Sequence, residues 1–299
     1  MGSLRDIRRQ IGTVKSIAKI TTAMKMVAAA KLRRAQDRVN AARPYADKMR
    51  ELVHRVAPLA PAEVVARHAL LMPREEQRLA LVVIASERGM CGSYNHNILR
   101  HAMRFVAERE AAGWSVELVA VGRRAETGLK ALGRTTTAFY PMPDVGASAA
   151  EVRVVQQAIV DLYKRDEAPV SEVWVAYAEF INAVNQAPRV DRFLPIEAAG
   201  LTGGADFSGD TRLEFEFAPD PEHLLDTLLP KFVDNQVLHY LLEATASEYG
   251  ARMTAMSTAS DNANDMIGSL TLQYNRARQD AITRELMDIV GGASALAGE

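Results

Sequence analysis

Two long segments, one at each end of the chain, carry apolar residues at coiled-coil spacing, and nothing else in the sequence restricts the fold so tightly. Residues 1–43 and 231–299 contain no proline. In the first, Leu4, Ile7, Ile11, Val14, Ala18, Thr21, Lys25, Ala28, Leu32, Ala35, Val39 and Ala42 alternate steps of three and four, the seam of a coiled coil. Thr21 and Lys25 are polar, so the apolar face is expected to drift there to Ile17, Ile20, Met24 and Val27. In the second, Tyr249, Met253, Met256, Ser260, Ala263, Ile267, Leu270, Tyr274, Ala277 and Ala281 keep the same alternation. Each stripe is too narrow for a globular core and suits one partner helix.

Helix geometry limits what such ends can build. A sixty-residue helix is about 90 Å long, several times the radius of an ordinary domain, so it must project. Two bundle helices folded back into one compact domain are the alternative, and they need breakers. Between residues 231 and 290 only Gly250 and Gly268 interrupt the pattern, each weakening a helix by about 1 kcal/mol without ending it. An antiparallel projecting pair is therefore expected. Pro44 is expected to kink the first helix near Ala42 or end its strongest part, and Pro230 to kink or restart the second.

With 48% hydrophobic and 24% charged residues among 299, the composition is globular and allows one core plus extensions. No apolar run reaches membrane-span length, and the start is charged where a signal peptide would turn apolar, so a cytosolic location is expected. Cys91 is the only cysteine, which excludes an internal disulfide or a cysteine-based metal site. Net charge is −1 but unevenly spread: residues 1–50 hold 13 Lys and Arg against 3 Asp, and residues 231–299 hold 5 basic against 9 acidic. The two ends attract each other and leave a positive excess on the first. Nucleic acid is disfavoured as a partner, because Tyr45 is the one aromatic in that basic segment and no recognition module is present.

Between the ends, Pro58, Pro61 and Pro73 mark a linker. Residues 79–85 read as a buried strand and 97–110 as a helix; 116–121, 123–132, 135–140 and 147–165 repeat the strand–helix unit. Residues 173–181 and 190–196 read as a hairpin turning around Asn185, Gln186 and Pro188. Alternating strands and helices imply a largely parallel sheet with helices on its faces. Gly200, Gly203, Gly204 and Gly209 make a loop, 213–217 a short strand, and Asp220-Pro221 a capped helix start. The expected fold is a central Rossmann-like α/β domain, 74–218, with long terminal helices, 1–57 and 219–290, paired as an antiparallel coiled coil.

One loop has the look of chemistry. Ser86-Glu87-Arg88-Gly89-Met90-Cys91-Gly92-Ser93-Tyr94-Asn95 follows a buried strand and precedes a helix, the position of a nucleophile elbow or phosphate loop. A thiolate nucleophile also needs a base and an orienting group, and spacing alone does not bring His96 or His101 to Cys91. A glycine-rich turn with a small buried thiol is the simpler reading. Neither G-x-x-x-x-G-K-[ST] nor G-x-G-x-x-G occurs, and the six histidines are scattered, so no nucleotide cofactor and no metal is implied. A middle domain without evident chemistry, carrying two arms, reads as a mechanical part.

At three places the residues resemble the gamma subunit of F-type ATP synthase. Arg5-Asp6-Ile7-Arg8-Arg9 with Lys19-Ile20-Thr21-Thr22-Ala23-Met24-Lys25-Met26-Val27 is similar to that family's amino-terminal signature. Tyr274-Asn275-Arg276-Ala277-Arg278-Gln279-Asp280-Ala281-Ile282-Thr283-Arg284-Glu285-Leu286 is similar to its carboxyl-terminal one, and Ser86 to Asn95 to its glycine-cysteine-glycine turn. The resemblance implies a rotor shaft. Its two helices would turn inside a ring of alpha and beta subunits, while the α/β domain sits on the epsilon subunit and the c-subunit ring. Proton-driven rotation would then cycle the beta sites without the shaft touching substrate. The implied location is the cytoplasmic face of the bacterial inner membrane, reached through partners, and the implied contact residues are Met24, Lys25, Arg278, Gln279, Thr283 and Glu285. Asp280, Pro230 and Ser93-Tyr94 depart from the family pattern. The competing readings are a cysteine-dependent α/β hydrolase with coiled-coil arms and a non-rotary coiled-coil adaptor.

Overall fold

Strand β1 (Arg78–Ile84) is apolar on both sides because it divides two cores. Ala80, Val82 and Ile84 enter one core, and Leu79, Leu81 and Val83 the other. Such a strand must lie in the middle of a sheet covered on both faces. The computed structural model describes residues 4–56, 70–71, 74, 76–144, 149–165, 169–196 and 221–297. In it β1 is the central strand of five in the order β3-β2-β1-β4-β5, where β2 is Ser115–Val121, β3 Ala138–Tyr140, β4 Glu172–Phe180 and β5 Gln186–Leu194. The first four strands are parallel; β5 returns antiparallel to β4.

The helices follow the strand periodicity. On one face α2 (Tyr94–Ala111) buries Tyr94, Ile98, Ala102 and Val106, and α3 (Arg123–Ala131) buries Ala125 and Leu129. Against the other lie Val155, Ile159 and Tyr163 of α4 (Ala149–Lys164), Met49 and Val53 of α1 (Leu4–Val56), and Leu225, Leu229, Val233 and Val237 of α5 (Pro221–Ala297). Each fully buried aliphatic side chain contributes about 1.5–3 kcal/mol. Gly122 makes the tight turn out of β2 at φ 92°, where an added Cβ would lie 2.1 Å from the Ala85 carbonyl oxygen.

The chain divides into two compact units: Ala29–Arg252, which holds the sheet, and Met1–Ala28 with Met253–Glu299. The division crosses α1 and α5, and the expected boundary at 290 falls inside α5. The second unit consists of the two helices. Val14 and Ala18 pack with Ala263, Ile267 and Leu270, Thr22 Oγ1 and Ser260 Oγ lie 2.9 Å apart, and Lys25 Nζ donates to Ser257 Oγ at 2.9 Å. Residue numbers rise on one helix as they fall on the other, so the pair is antiparallel.

Several sequence expectations need correction. The apolar face of α1 drifts only at Met24, which is half-buried where Lys25 is exposed; Ile17, Ile20 and Val27 are 46%, 59% and 58% exposed, while Thr21 stays in the seam. Thr21 can be buried because its hydroxyl donates within the helix, to the carbonyls of Ile17 and Ala18 at 3.1 Å each. Neither Pro44 nor Pro230 ends its helix. Both lie on exposed faces, as do Asn40 and Asp226 one turn earlier, so the carbonyls that lose an N–H partner can bond water. Pro188 lies inside β5 rather than in the turn, opposite Ala178; β5 is an edge strand, where a missing N–H is tolerated. The linker prolines Pro58, Pro61 and Pro73, the glycine loop, the 213–217 strand and Asp220 lie outside the described residues.

Candidate functional site

Every residue between Ser260 and Val290 that is not exposed belongs to the second seam: Ser260, Ala263, Ile267, Leu270, Tyr274, Ala277 and Ala281. The small members let the helix backbones approach closely. Ala18 packs with Ala263 and Thr22 meets Ser260, a register that brings Leu4 opposite the neighbourhood of Ala277. Past Ala281 no described residue of α1 lies opposite α5. Ile282, Leu286, Met287, Ile289 and Val290 are all exposed there. A helix end carrying five exposed large apolar side chains needs a surrounding apolar surface to become stable in water.

The six contact residues expected from the resemblance fall into two separate bands of this unit. Met24 is half-buried and Lys25 exposed, opposite Ser257. Arg278, Gln279, Thr283 and Glu285 are exposed on α5, roughly 30 Å further along the pair at 1.5 Å per residue. Within that upper band Arg278 and Glu285, seven apart, stack on one flank of the helix. Gln279 and Thr283, four apart, lie on another. The structure brings members of each band together and does not join the two bands.

In the sheet unit, the loop after β1 is held by its own side chains. Ser86 N donates to Asn95 Oδ1 at 3.0 Å, Ser86 Oγ to the Arg88 carbonyl at 2.7 Å, and Asn95 Nδ2 to Cys91 Sγ at 3.1 Å. Cys91 is 2% exposed, and burial pushes its thiol up despite the Ser86 hydrogen bond. His96 and His101 are exposed, and the polar partners of the sulfur are Asn95 and Ser86. A buried thiol disfavoured as thiolate and without a base is a packing element. The loop spans strand to helix, as a nucleophile elbow would, but its chemistry is structural.

Sequence spacing gave no sign of what α5 does at this edge of the sheet. The strand order reverses at β1, which puts the crevice of a doubly wound sheet at the carboxyl ends of β1 and β4, the usual ligand position. Here α5 fills it. Glu243 Oε2 accepts from Phe180 N at 2.8 Å, Ser247 Oγ donates to the Ala178 carbonyl at 2.9 Å, and Tyr94 Oη donates to the Ala244 carbonyl at 3.0 Å. Arg252 Nη2 donates to the carbonyls of Arg88 and Gly89 at 3.0 and 3.3 Å, with Glu248 2.6 Å from its guanidinium. Small residues permit the fit. An added Cβ at Gly250 would lie 3.3 Å from the Ala183 Cα. Polar groups that would otherwise meet a ligand are thus taken by a helix of the same chain. Among the described residues there is no cluster of His, Cys, Asp and Glu suited to a metal.

A family model described as ATP synthase matches residues 3–296. An ATP synthase gamma chain from Heliobacterium modesticaldum is 44% identical over 299 residues, covering 99% of this chain and all of the relative. The chain belongs to the ATP synthase gamma-chain family. Another gamma chain, from Desulfitobacterium hafniense, is also 44% identical, with 99% of this chain and 100% of the relative covered. Among solved structures, a Euglena gracilis mitochondrial ATP synthase chain superposes with a TM-score of 0.65 at 20% identity, covering 98% of this chain and 94% of that one. A Tetrahymena thermophila mitochondrial central-stalk and c-ring structure gives 0.57 at 24% identity, over 81% and 99%. These likenesses concern the fold. The cysteine hydrolase and the free-standing adaptor find no support in a gamma-chain family member.

Proposed function

We propose that this chain is the central shaft of a proton-translocating F-type ATP synthase and a non-catalytic subunit of it. Proton flow turns the membrane ring and the shaft together. The shaft then presents a different face to each catalytic beta subunit, shifting binding free energy between sites without touching nucleotide. Residues 1–57 and 219–290 are the shaft and 74–218 the body. The partners are the alpha and beta subunits around the paired helices, with epsilon and the c-subunit ring at the body. No described helix is long and apolar enough to cross a membrane, so attachment at the cytoplasmic face of the bacterial inner membrane runs through those partners.

The observation that carries this reading is the apolar end of α5, with Ile282, Leu286, Met287, Ile289 and Val290 exposed on one chain. An apolar sleeve satisfies such a tip and lets it turn, since dispersion and burial are non-directional. The two bands, Met24 with Lys25 and Arg278 with Gln279, Thr283 and Glu285, are the contacts with beta. Basic residues of α1 face acidic segments there. Co-expression tests the reading: the chain is expected to co-purify with an alpha–beta hexamer that hydrolyses ATP. A hexamer that assembles and couples without it, or substrate turnover by the chain alone, would contradict it.

A further inference from the structure

Three of the connections that leave the carboxyl edge of the sheet, those after β1, β3 and β4, grip the long helices. The loop after β1 is held by Arg252 through the carbonyls of Arg88 and Gly89. The end of β4 is held by Glu243 and Ser247. The third, after β3, ends on a closed polar triangle. Lys31 Nζ on α1 donates to Asp144 Oδ2 at 2.7 Å and to Tyr249 Oη at 3.1 Å, and Tyr249 Oη on α5 donates to Asp144 Oδ1 at 2.8 Å. Each side chain belongs to a different element, so the triangle ties α1, α5 and one loop of the sheet in a single motif.

The start of that loop is held as well. Glu87 Oε2 accepts from Met142 N at 3.4 Å and from Arg123 N at 3.1 Å, which joins the loop after β3 to the loop after β1. Two cations also lie near the Tyr249 ring, Lys31 Nζ 5.2 Å and the Arg252 guanidinium 5.4 Å from its centroid. Burial alone would lower the Lys31 ammonium, but its bonds to Asp144 and Tyr249 outweigh that and hold it above its ordinary value. The charged state is the one the triangle favours.

We propose that Lys31, Asp144 and Tyr249 are positioning residues, a torsional latch that stops α1 and α5 from turning inside the collar formed by the sheet's carboxyl-edge loops. The proposal rests on the shaft reading. An apolar helix contact resists separation but resists rotation about the helix axis poorly, because burial is non-directional. Directional bonds at side-chain radius supply that resistance, and charge-assisted ones are the strongest available. Among the described residues the loop after β3 bonds to both helices through Asp144, so it fixes α1 and α5 as a pair.

The test uses the complete complex in membrane vesicles, comparing ATP hydrolysis with ATP-driven proton uptake. Asp144→Asn combined with Tyr249→Phe is expected to leave hydrolysis within about twofold of wild type while protons moved per ATP fall about fivefold, the low end of site-to-site coupling. Asp144→Glu, which keeps the carboxylate, is expected to retain coupling. If the double variant fails to assemble, Tyr249→Phe alone, which deletes one hydroxyl, carries the same expectation at smaller size. A wild-type coupling ratio in the assembled variants overturns the latch. Wild-type vesicles that hydrolyse ATP without taking up protons overturn the shaft reading, and the latch with it.

Discussion

Thr22 Oγ1 and Ser260 Oγ meet at 2.9 Å across the seam of α1 and α5, joining residues 238 positions apart. The Thr22 hydroxyl also lies 2.8 Å from the Ala18 carbonyl, and Ser260 is 8% exposed. The contact is small and polar where a coiled coil would ordinarily place a large apolar side chain, so it fixes register. Ser260→Ala is expected to cost about 0.5–1.5 kcal/mol, and Ser260→Leu about 1–3 kcal/mol by overpacking. Urea midpoints of the purified chain, followed by helical circular dichroism, check the order; a more stable Leu variant contradicts it.

Gly122 supplies a sharper contrast. At φ 92° its missing Cβ leaves room for the Ala85 carbonyl, while Gly133, at φ 73°, has nothing within 4 Å. Gly133→Ala is expected to cost about 1–2 kcal/mol from the left-handed backbone alone. Gly122→Ala adds a clash with backbone that cannot move away, and a loss above about 3 kcal/mol is expected. Equal thermal shifts for the two variants would show that the turn yields.

Glu117 gives the sheet unit an acid limit. Burial pushes its carboxyl up, but Arg165, bound through both guanidinium nitrogens, and Arg78 more than offset this, so it stays below the ordinary carboxylate range. A depressed folded value stabilises the fold fully above the unfolded pKa and loses that contribution as pH falls through the folded value. Glu117→Gln is therefore expected to lose about 1–3 kcal/mol at neutral pH. The gap to wild type should close as pH falls through that depressed folded value. A gap that persists in acid would assign the loss to packing instead of charge.

Cys91 offers a test of chemistry against packing. It is buried, raised in pKa by that burial, and hydrogen-bonded by Asn95. Iodoacetamide should label it only after unfolding, and Cys91→Ser should leave ATPase turnover of the assembled complex within about twofold. A hundredfold loss with assembly intact, a barrier increase of about 2.7 kcal/mol, would restore a catalytic thiol.

How far the sequence disclosed this depends on which residues carried the information. The α5 seam was legible because each of its residues repeats a local step of three or four, and all of those past Ser260 are sheltered. The strands were legible as valine- and isoleucine-rich runs, but their order was not, since Leu79–Ile84 looks alike beside any neighbour. Thr21 misled because hydropathy ignores a hydroxyl that satisfies itself on the carbonyl of Ala18. The triangle of Lys31, Asp144 and Tyr249 left no trace, because its members are brought together only by the fold. Nor could spacing reveal that α5 occupies the ligand crevice of its own sheet.

Rotation is the central claim, and an exposed shaft position tests it. Asp265 is exposed on α5, so Asp265→Cys can be joined by a disulfide to a cysteine placed on the facing beta residue of the assembled complex. A shaft fixed to one beta subunit cannot serve the other two. The account predicts that oxidation abolishes both ATP synthesis and multi-site hydrolysis, and that reduction restores them. Undiminished turnover in fully cross-linked complexes would contradict it.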